Sequence, residues 1–352
     1  MSRTPAPPFS PSRRAFLGRV ARAGGVFACA LPTLVGCVAA RREPRPWEGR
    51  FLTIVTAGGA VRQALRVGLF APFAEATGCR VSESVLPIDD LVVELRRQIA
   101  ERRIEWDIVA LDAPRLAVLA RDESRPLARL ERQPDAASAP LPLWLRESGV
   151  AILGDTLALA VRSGPFNGAL PRDWGAAWDT GRFPGPRYFP RDPVGLLEIA
   201  LLADGVAVER LYPLDLDRAF RALDRLRPAI HTWWRQAARG DEALTLGQAD
   251  LALARGGDLR AALATGASAA LAPLPMPSLL LTFAVLQGAP NADLARDFLA
   301  YATGPTAQTS FGEQGYRPIT ALDTPGTFAP DLTWWGEQGR DALARFAQWL
   351  AR

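Results

Sequence analysis

The chain has 352 residues, 49% apolar and 22% charged, long enough for two domains with cores of their own and too apolar for a disordered chain. Its formal charge of +4 originates in the first 36 residues, which hold Arg3, Arg13, Arg14, Arg19 and Arg22 and no acid; the remainder is nearly neutral and offers no basic field for a nucleic acid. One histidine, three cysteines and no lysine exclude His/Cys metal clusters, most histidine-based triads and lysine Schiff-base chemistry, and no metal or cofactor is expected.

The polar opening Ser12-Arg13-Arg14-Ala15-Phe16-Leu17-Gly18 and the uncharged stretch Ala23–Val35 read as a twin-arginine export signal over residues 1–36. Leu34-Val35-Gly36-Cys37 follows and resembles a lipobox, in which the cysteine is acylated and becomes the new N-terminus. The alternative is a plain N-terminal membrane anchor. Pro32, three glycines and a short apolar region oppose it. With Cys29 removed and Cys37 acylated, Cys79 is the only thiol left, so no internal disulfide forms. Residues 37–50 read as a tether.

Beyond the tether, Phe51–Val55 is a short apolar strand, followed by Ala57-Gly58-Gly59-Ala60 and a helical pattern of Val61, Leu65, Leu69 and Phe73. Pro72 kinks or restarts that helix and Gly78 ends it. Cys79–Val85 alternates, Asp89–Glu101 is helical and Trp106–Leu111 is a buried strand. Val150–Val161, Asp250–Ala254 and Leu279–Leu286 read as extended; Leu196–Leu202, Asp217–Leu226, Asp293–Ala302 and Asp341–Leu350 read as helices. Alternation of this kind predicts an α/β fold with largely parallel strands in two lobes.

Thr56-Ala57-Gly58-Gly59, between a strand and a helix, would place bare backbone N–H groups at the carboxyl edge of a sheet, where ligands of open α/β sheets bind. An ordinary tight turn fits the same residues. From Phe51 to Thr320 the chain resembles the extracellular solute-binding proteins of ABC importers, in the branch described as spermidine/putrescine-type. The matching phrases are TAGGAVRQALRVGLFAPFAEATG, WDIVAL, PRDWGAAWDTGRFPGPR, LEIALLADGV, LYPLDLDRAFRALDRLRP and QGAPNADLARDFLAYATGPTAQ, in the family's order. The resemblance implies a type II periplasmic-binding fold, two hinge-linked lobes with a ligand cleft between them. It assigns residues 51–152 plus about 283–318 to lobe 1 and 153–282 plus about 319–352 to lobe 2, with crossings near 150–155 and 278–286. It further implies a monomeric periplasmic lipoprotein that binds a small organic solute, closes on it and docks on a membrane permease, with no enzyme activity.

A polyamine site needs carboxylates for its ammonium groups and aromatic faces for its methylenes. The family's second crossing commonly carries an acid where Leu281 stands here. Its Trp-Asn-Gly strand end is replaced by Arg255-Gly256-Gly257. Asp192 remains as an acidic candidate. An arginine at a strand's carboxyl edge favours a carboxylate or phosphate ligand, unless Arg255 points to solvent. The solute is thus polyamine-like or of altered specificity, and a sensor or scaffold without high-affinity binding is the competing function.

Of Trp233 and Trp234, adjacent on a strand, one faces the core and one the cleft. Asp155-Thr156, at the first crossing, is a candidate ligand contact or a strand-end pair. Trp174, Trp178, Trp334 and Trp335 read as packing, Asp215 and Asp217 as helix starts, His231 as a surface or packing residue, and Glu198 as a residue on the helix surface, behind the cleft or reaching into it.

Overall fold

The apolar run Phe51–Thr56 forms the first strand, β1, of the computed structural model, which describes residues 45–131, 141–235, 238–322 and 325–352, apart from the side chains of 238–241. The paired arginines Arg13-Arg14, Cys29 and the lipidation candidate Cys37 lie outside the described residues.

From β1 the chain runs into a three-part helix: α1 (Val61–Leu65), a π-type turn (Arg66–Phe70) and α2 (Ala71–Thr77). Pro72 sits in the first turn of α2, where a missing N–H costs nothing. Gly78 closes the helix at φ 81°. β2 (Arg80–Val85), α3 (Ile88–Ala100), β3 (Ile108–Asp112), α4 (Ala113–Ala120) and the single turn α5 (Leu143–Arg146) follow. Next come the long β4 (Val150–Arg162), α6 (Trp174–Trp178), β5 (Arg187–Pro190), α7 (Leu196–Ala203) and α8 (Leu216–Leu226). They are succeeded by β6 (Ile230–Trp234), α9 (Ala238–Thr245), β7 (Leu251–Arg255), α10 (Gly256–Ala264) and β8 (Ala269–Leu271). The chain ends through β9 (Met276–Val285), α11 (Ala292–Ala302), α12 (Pro305–Glu313), the short β10 (Arg317–Pro318) and β11 (Thr327–Phe328), and α13 (Leu332–Leu350).

The strands follow the order β2-β1-β3-β9-β4-β7-β5-β6. Within each lobe the strands are parallel: β2 and β3 flank β1, and β6 and β7 flank β5. β4 and β9 are the exceptions. They pair antiparallel over most of their length, Val150 opposite Phe283 and Thr156 opposite Ser278, and carry the chain between the lobes. Alternate residues of β1 and β3 feed two first-lobe cores, with Ile54 and Ile108 in one and Val55 and Val109 in the other. The second lobe has a large core around Phe189, Leu197, Leu223 and Trp174, and a smaller one around Trp234 and Leu259.

The last helix begins nine residues earlier than its sequence pattern suggests. Asp331 caps it by accepting from the N–H groups of Thr333 and Trp334. Gly336 and Gly339 allow a close crossing over α4. A Cβ on Gly339 would stand 2.6 Å from Val118 Cγ2. Its other face reaches the second-lobe core through Trp335, Phe346 and Trp349. Among the described residues no helix is long and apolar enough to cross a membrane.

Candidate functional site

The carboxyl ends of β1, β3, β5, β6 and β7 converge from the two lobes on one cavity of about 120 Å³. Ligands of open α/β sheets bind at these ends because loops and helix N-termini there present unpaired polar groups. Thr56, Ala57 and Gly58 line it after β1, Asp112 after β3, Asp192 and Val194 after β5, Trp234 at the end of β6 and Arg255 at the end of β7. The crossing strands add Leu153, Asp155, Leu279 and Leu281, and α10 adds Asp258.

The lining carboxylates are largely engaged. Asp112 caps α4, accepting from Arg115 N at 3.0 Å and from Arg115 Nη1 at 2.5 Å. Asp192 accepts from Arg115 Nη2 at 2.7 Å and from Val194 N at 2.9 Å. Asp258 reaches across to the first lobe and accepts from Ala60 N at 2.6 Å. The N-terminus of α1, read from sequence as a ligand-binding edge or an ordinary tight turn, thus receives the protein's own carboxylate. Asp155 accepts from Thr156 N at 2.8 Å and Gly257 N at 3.0 Å, with Arg260 Nη2 at 3.8 Å. Burial raises the Asp155 carboxyl above its ordinary range, while Arg255 and the two N–H donors pull it partly back.

Arg255 points into the cavity, not away from it. Its Nη2 lies 3.8 Å from Asp112 Oδ2, and its side chain is 28% exposed. Among the described residues no carboxylate holds it at hydrogen-bond distance, which leaves its fork available to a ligand. At the cavity's mouth Arg235, also a lining residue, pairs with Asp90 of α3 at 2.5 Å, and Arg191 lies 3.7 Å from Asp89.

Of the residues predicted for the site, Ala57, Gly58, Asp155, Asp192, Trp234, Arg255 and Leu281 come together at this cavity. Gly59, Thr156 and Trp233 do not line it. Gly59 follows the lining residue Gly58 at φ 89°. Thr156 is buried, its hydroxyl directed toward Gly256 of α10. Trp233, on the opposite face of β6 from Trp234, makes edge contacts with Phe346 and Trp349 of α13, at centroid distances of 6.4 and 5.5 Å. Glu198 departs most from its sequence reading. It is fully buried in the second-lobe core, accepting from Tyr212 Oη at 2.6 Å and Trp335 Nε1 at 3.0 Å.

Sequence reasoning missed Asp112, Arg115 and Asp258. Asp112 carried a usable signal, since an aspartate before Ala-Pro at the end of a buried strand is a helix cap at a sheet's carboxyl edge. Arg115 carried none, because its burial depends on Asp192, 77 residues away.

Residues 68–322 match the family model of the bacterial extracellular solute-binding proteins. The chain is 30% identical over 334 residues to the gamma-aminobutyric acid-binding protein of Pseudomonas aeruginosa, covering 87% of this chain and 92% of that one. An ABC transporter substrate-binding protein from Bradyrhizobium japonicum superposes with a TM-score of 0.74 at 28% identity, covering 85% of this chain and 99% of that one. A binding protein from A. tumefaciens in complex with agropinic acid shares the fold with a TM-score of 0.76 at 22% identity, over 86% and 99% of the two chains. The chain belongs to the extracellular solute-binding proteins. It is a small-ligand receptor of the ABC-importer type with their two-lobed fold, and it is not an enzyme.

Proposed function

We propose that this receptor captures a short ω-amino acid of the γ-aminobutyrate class, a solute with a carboxylate at one end and an ammonium at the other. The observation that supports this reading most is the pairing, in one cavity of about 120 Å³, of an available arginine fork (Arg255) with buried carboxylates (Asp112, Asp155) and an aromatic wall (Trp234). A dication would face Arg255 at close range, and a simple dianion would face Asp112 and Asp155. A zwitterion satisfies both signs, while Leu279 and Leu281 cover its methylenes. The name of the P. aeruginosa relative agrees with this chemistry. The polyamine expectation is weakened by the same geometry, because Leu281 offers no charge where the branch commonly has an acid. Closure is driven by a ligand that touches both lobes, Arg255 belonging to one and Asp112 to the other.

The receptor is delivered, in this reading, by the twin-arginine segment around Arg13-Arg14 and held by lipid at Cys37, where it meets its permease. The sequence pattern Leu34–Cys37 supports that anchoring.

Calorimetric titration of the chain from residue 38 with γ-aminobutyrate, putrescine and glutarate tests the assignment. γ-Aminobutyrate is expected to bind most tightly, and Arg255→Ala to weaken it by about ten- to a hundredfold, the effect of losing a charge-assisted hydrogen bond. Tighter binding of putrescine than of γ-aminobutyrate by the wild-type protein would overturn it.

A further inference from the structure

We propose that Arg115 is a built-in cation that sets the charge specificity of the cleft: it takes, from within the protein, the position between Asp112 and Asp192 that the second ammonium of a diamine would occupy. The inference rests on the ω-amino acid reading above and deepens it by naming what excludes the diamine.

Arg115 lies on the first turn of α4, and its side chain is only 5% exposed. Its guanidinium bridges two carboxylates that both line the cavity, Asp112 Oδ2 at 2.5 Å on its own lobe and Asp192 Oδ1 at 2.7 Å on the other. Burial alone would lower its affinity for a proton, but the two aspartates more than compensate and hold it firmly charged. A planar fork suits this bridge better than a point charge would, since each arm meets its own carboxylate. Without the guanidinium, Asp192 would lose its arginine partner and Asp112 would keep only Arg255, 3.8 Å away. Asp89, whose carboxyl is raised by burial and by the charge of Asp192, would add to that negative field. Such a field draws in cations, so removal of one arginine charge converts a zwitterion site toward a diamine site.

The same bridge joins the lobes, which lets the effect on specificity be separated from an effect on closure. Loss of closure alone weakens every solute; loss of the internal cation changes their ratio.

The test is a titration series with γ-aminobutyrate, putrescine and glutarate on the wild type, Arg115→Met, Arg115→Lys, Asp192→Asn and Arg115→Met/Asp192→Asn, each checked for folding by circular dichroism. Arg115→Met, which keeps much of the volume and removes the charge, is expected to raise the putrescine to γ-aminobutyrate affinity ratio at least tenfold. Arg115→Lys should leave the ratio within threefold of wild type, and the double variant should lose most of the putrescine gain. Should Arg115→Met not fold, Asp192→Asn carries the decision: freeing one arm of Arg115 should raise the glutarate to γ-aminobutyrate ratio at least fivefold. A folded Arg115→Met with an unchanged ratio, or an Asp192→Asn without a glutarate gain, overturns the inference. Wild-type affinity for γ-aminobutyrate reports separately on the ω-amino acid reading, because it does not depend on how the variants shift the ratio.

Discussion

Gly257→Ala isolates the contact that ties the cleft to the first-lobe core. An added methyl would stand 2.6 Å from Tyr316 Cε1 and 2.9 Å from Tyr316 Oη, against about 3.5–4.0 Å for ordinary carbon contact. Tyr316 is 8% exposed and packed in that core, so the ring has no room to swing away. The start of α10 must instead retreat by roughly an ångström. Two hydrogen bonds lie on this turn: Gly257 N to Asp155 at 3.0 Å, and Ala60 N to Asp258 at 2.6 Å. Overpacking costs about 1–3 kcal/mol, and weakening bonds to charged acceptors adds about 1 kcal/mol, so a loss of about 2–4 kcal/mol is expected. Urea unfolding followed by tryptophan fluorescence measures it, and solute titration should show at least tenfold weaker binding. Tyr316→Leu removes the obstructing ring. The double variant should therefore be more stable than the sum of the single effects by at least about 1 kcal/mol. A Gly257→Ala protein within about 0.5 kcal/mol of wild type, or strictly additive single effects, would refute the clash.

The tryptophan pair separates by function: Trp233→Ala should cost roughly 2–3 kcal/mol through lost contact with Phe346 and Trp349 and leave solute affinity within twofold. Trp234→Ala, at the cavity wall, should weaken binding at least tenfold; calorimetry that returned the reverse pattern would exchange their roles. Glu198→Gln should be more stable than wild type at pH 8, with the difference shrinking toward pH 4, as read from urea midpoints across that range. Burial holds the Glu198 carboxyl above its usual value, against the partial opposition of Tyr212 and Trp335. The stability it contributes is complete below the unfolded value of about 4.3 and is lost as pH rises through the folded one, by about 1.4 kcal/mol per pH unit traversed. A midpoint difference that stayed constant with pH would contradict this.

Strands with continuous apolar runs were legible from the sequence, as β1, β3 and the start of β4 show, because burial on both faces leaves no room for polar residues. The parts that were not legible depend on distant partners. Gly336 and Gly339 look like helix breaks until α4 is seen passing beneath them. Arg187, within a phrase shared with the family, is fully buried because its guanidinium donates to the carbonyls of Gly185 and Phe183. Asn291, within another shared phrase, forms a brace, its N–H donating to the buried Asp107 at 2.7 Å while Thr53 N donates to the same carboxylate at 2.8 Å. At the site, Arg255 was visible because it replaced a familiar pattern. Arg115 was invisible, since an arginine one turn into a helix ordinarily faces water.

The interlobe contacts explain how such a receptor can be selective without many groups dedicated to its solute. A ligand shifts closure only by its differential affinity for the closed form. Here Arg115–Asp192, Arg235–Asp90 and Ala60–Asp258 already join the lobes, so part of the closing free energy is internal to the chain. In the ω-amino acid reading, the solute then adds one carboxylate at Arg255 and one ammonium beside Asp112 and Asp155. The two mouth pairs are half-exposed and screened by salt, whereas Arg115–Asp192 is shielded. Ionic strength should therefore tune the ease of closure through Arg235 and Arg191, while the choice among solutes stays with the buried charges.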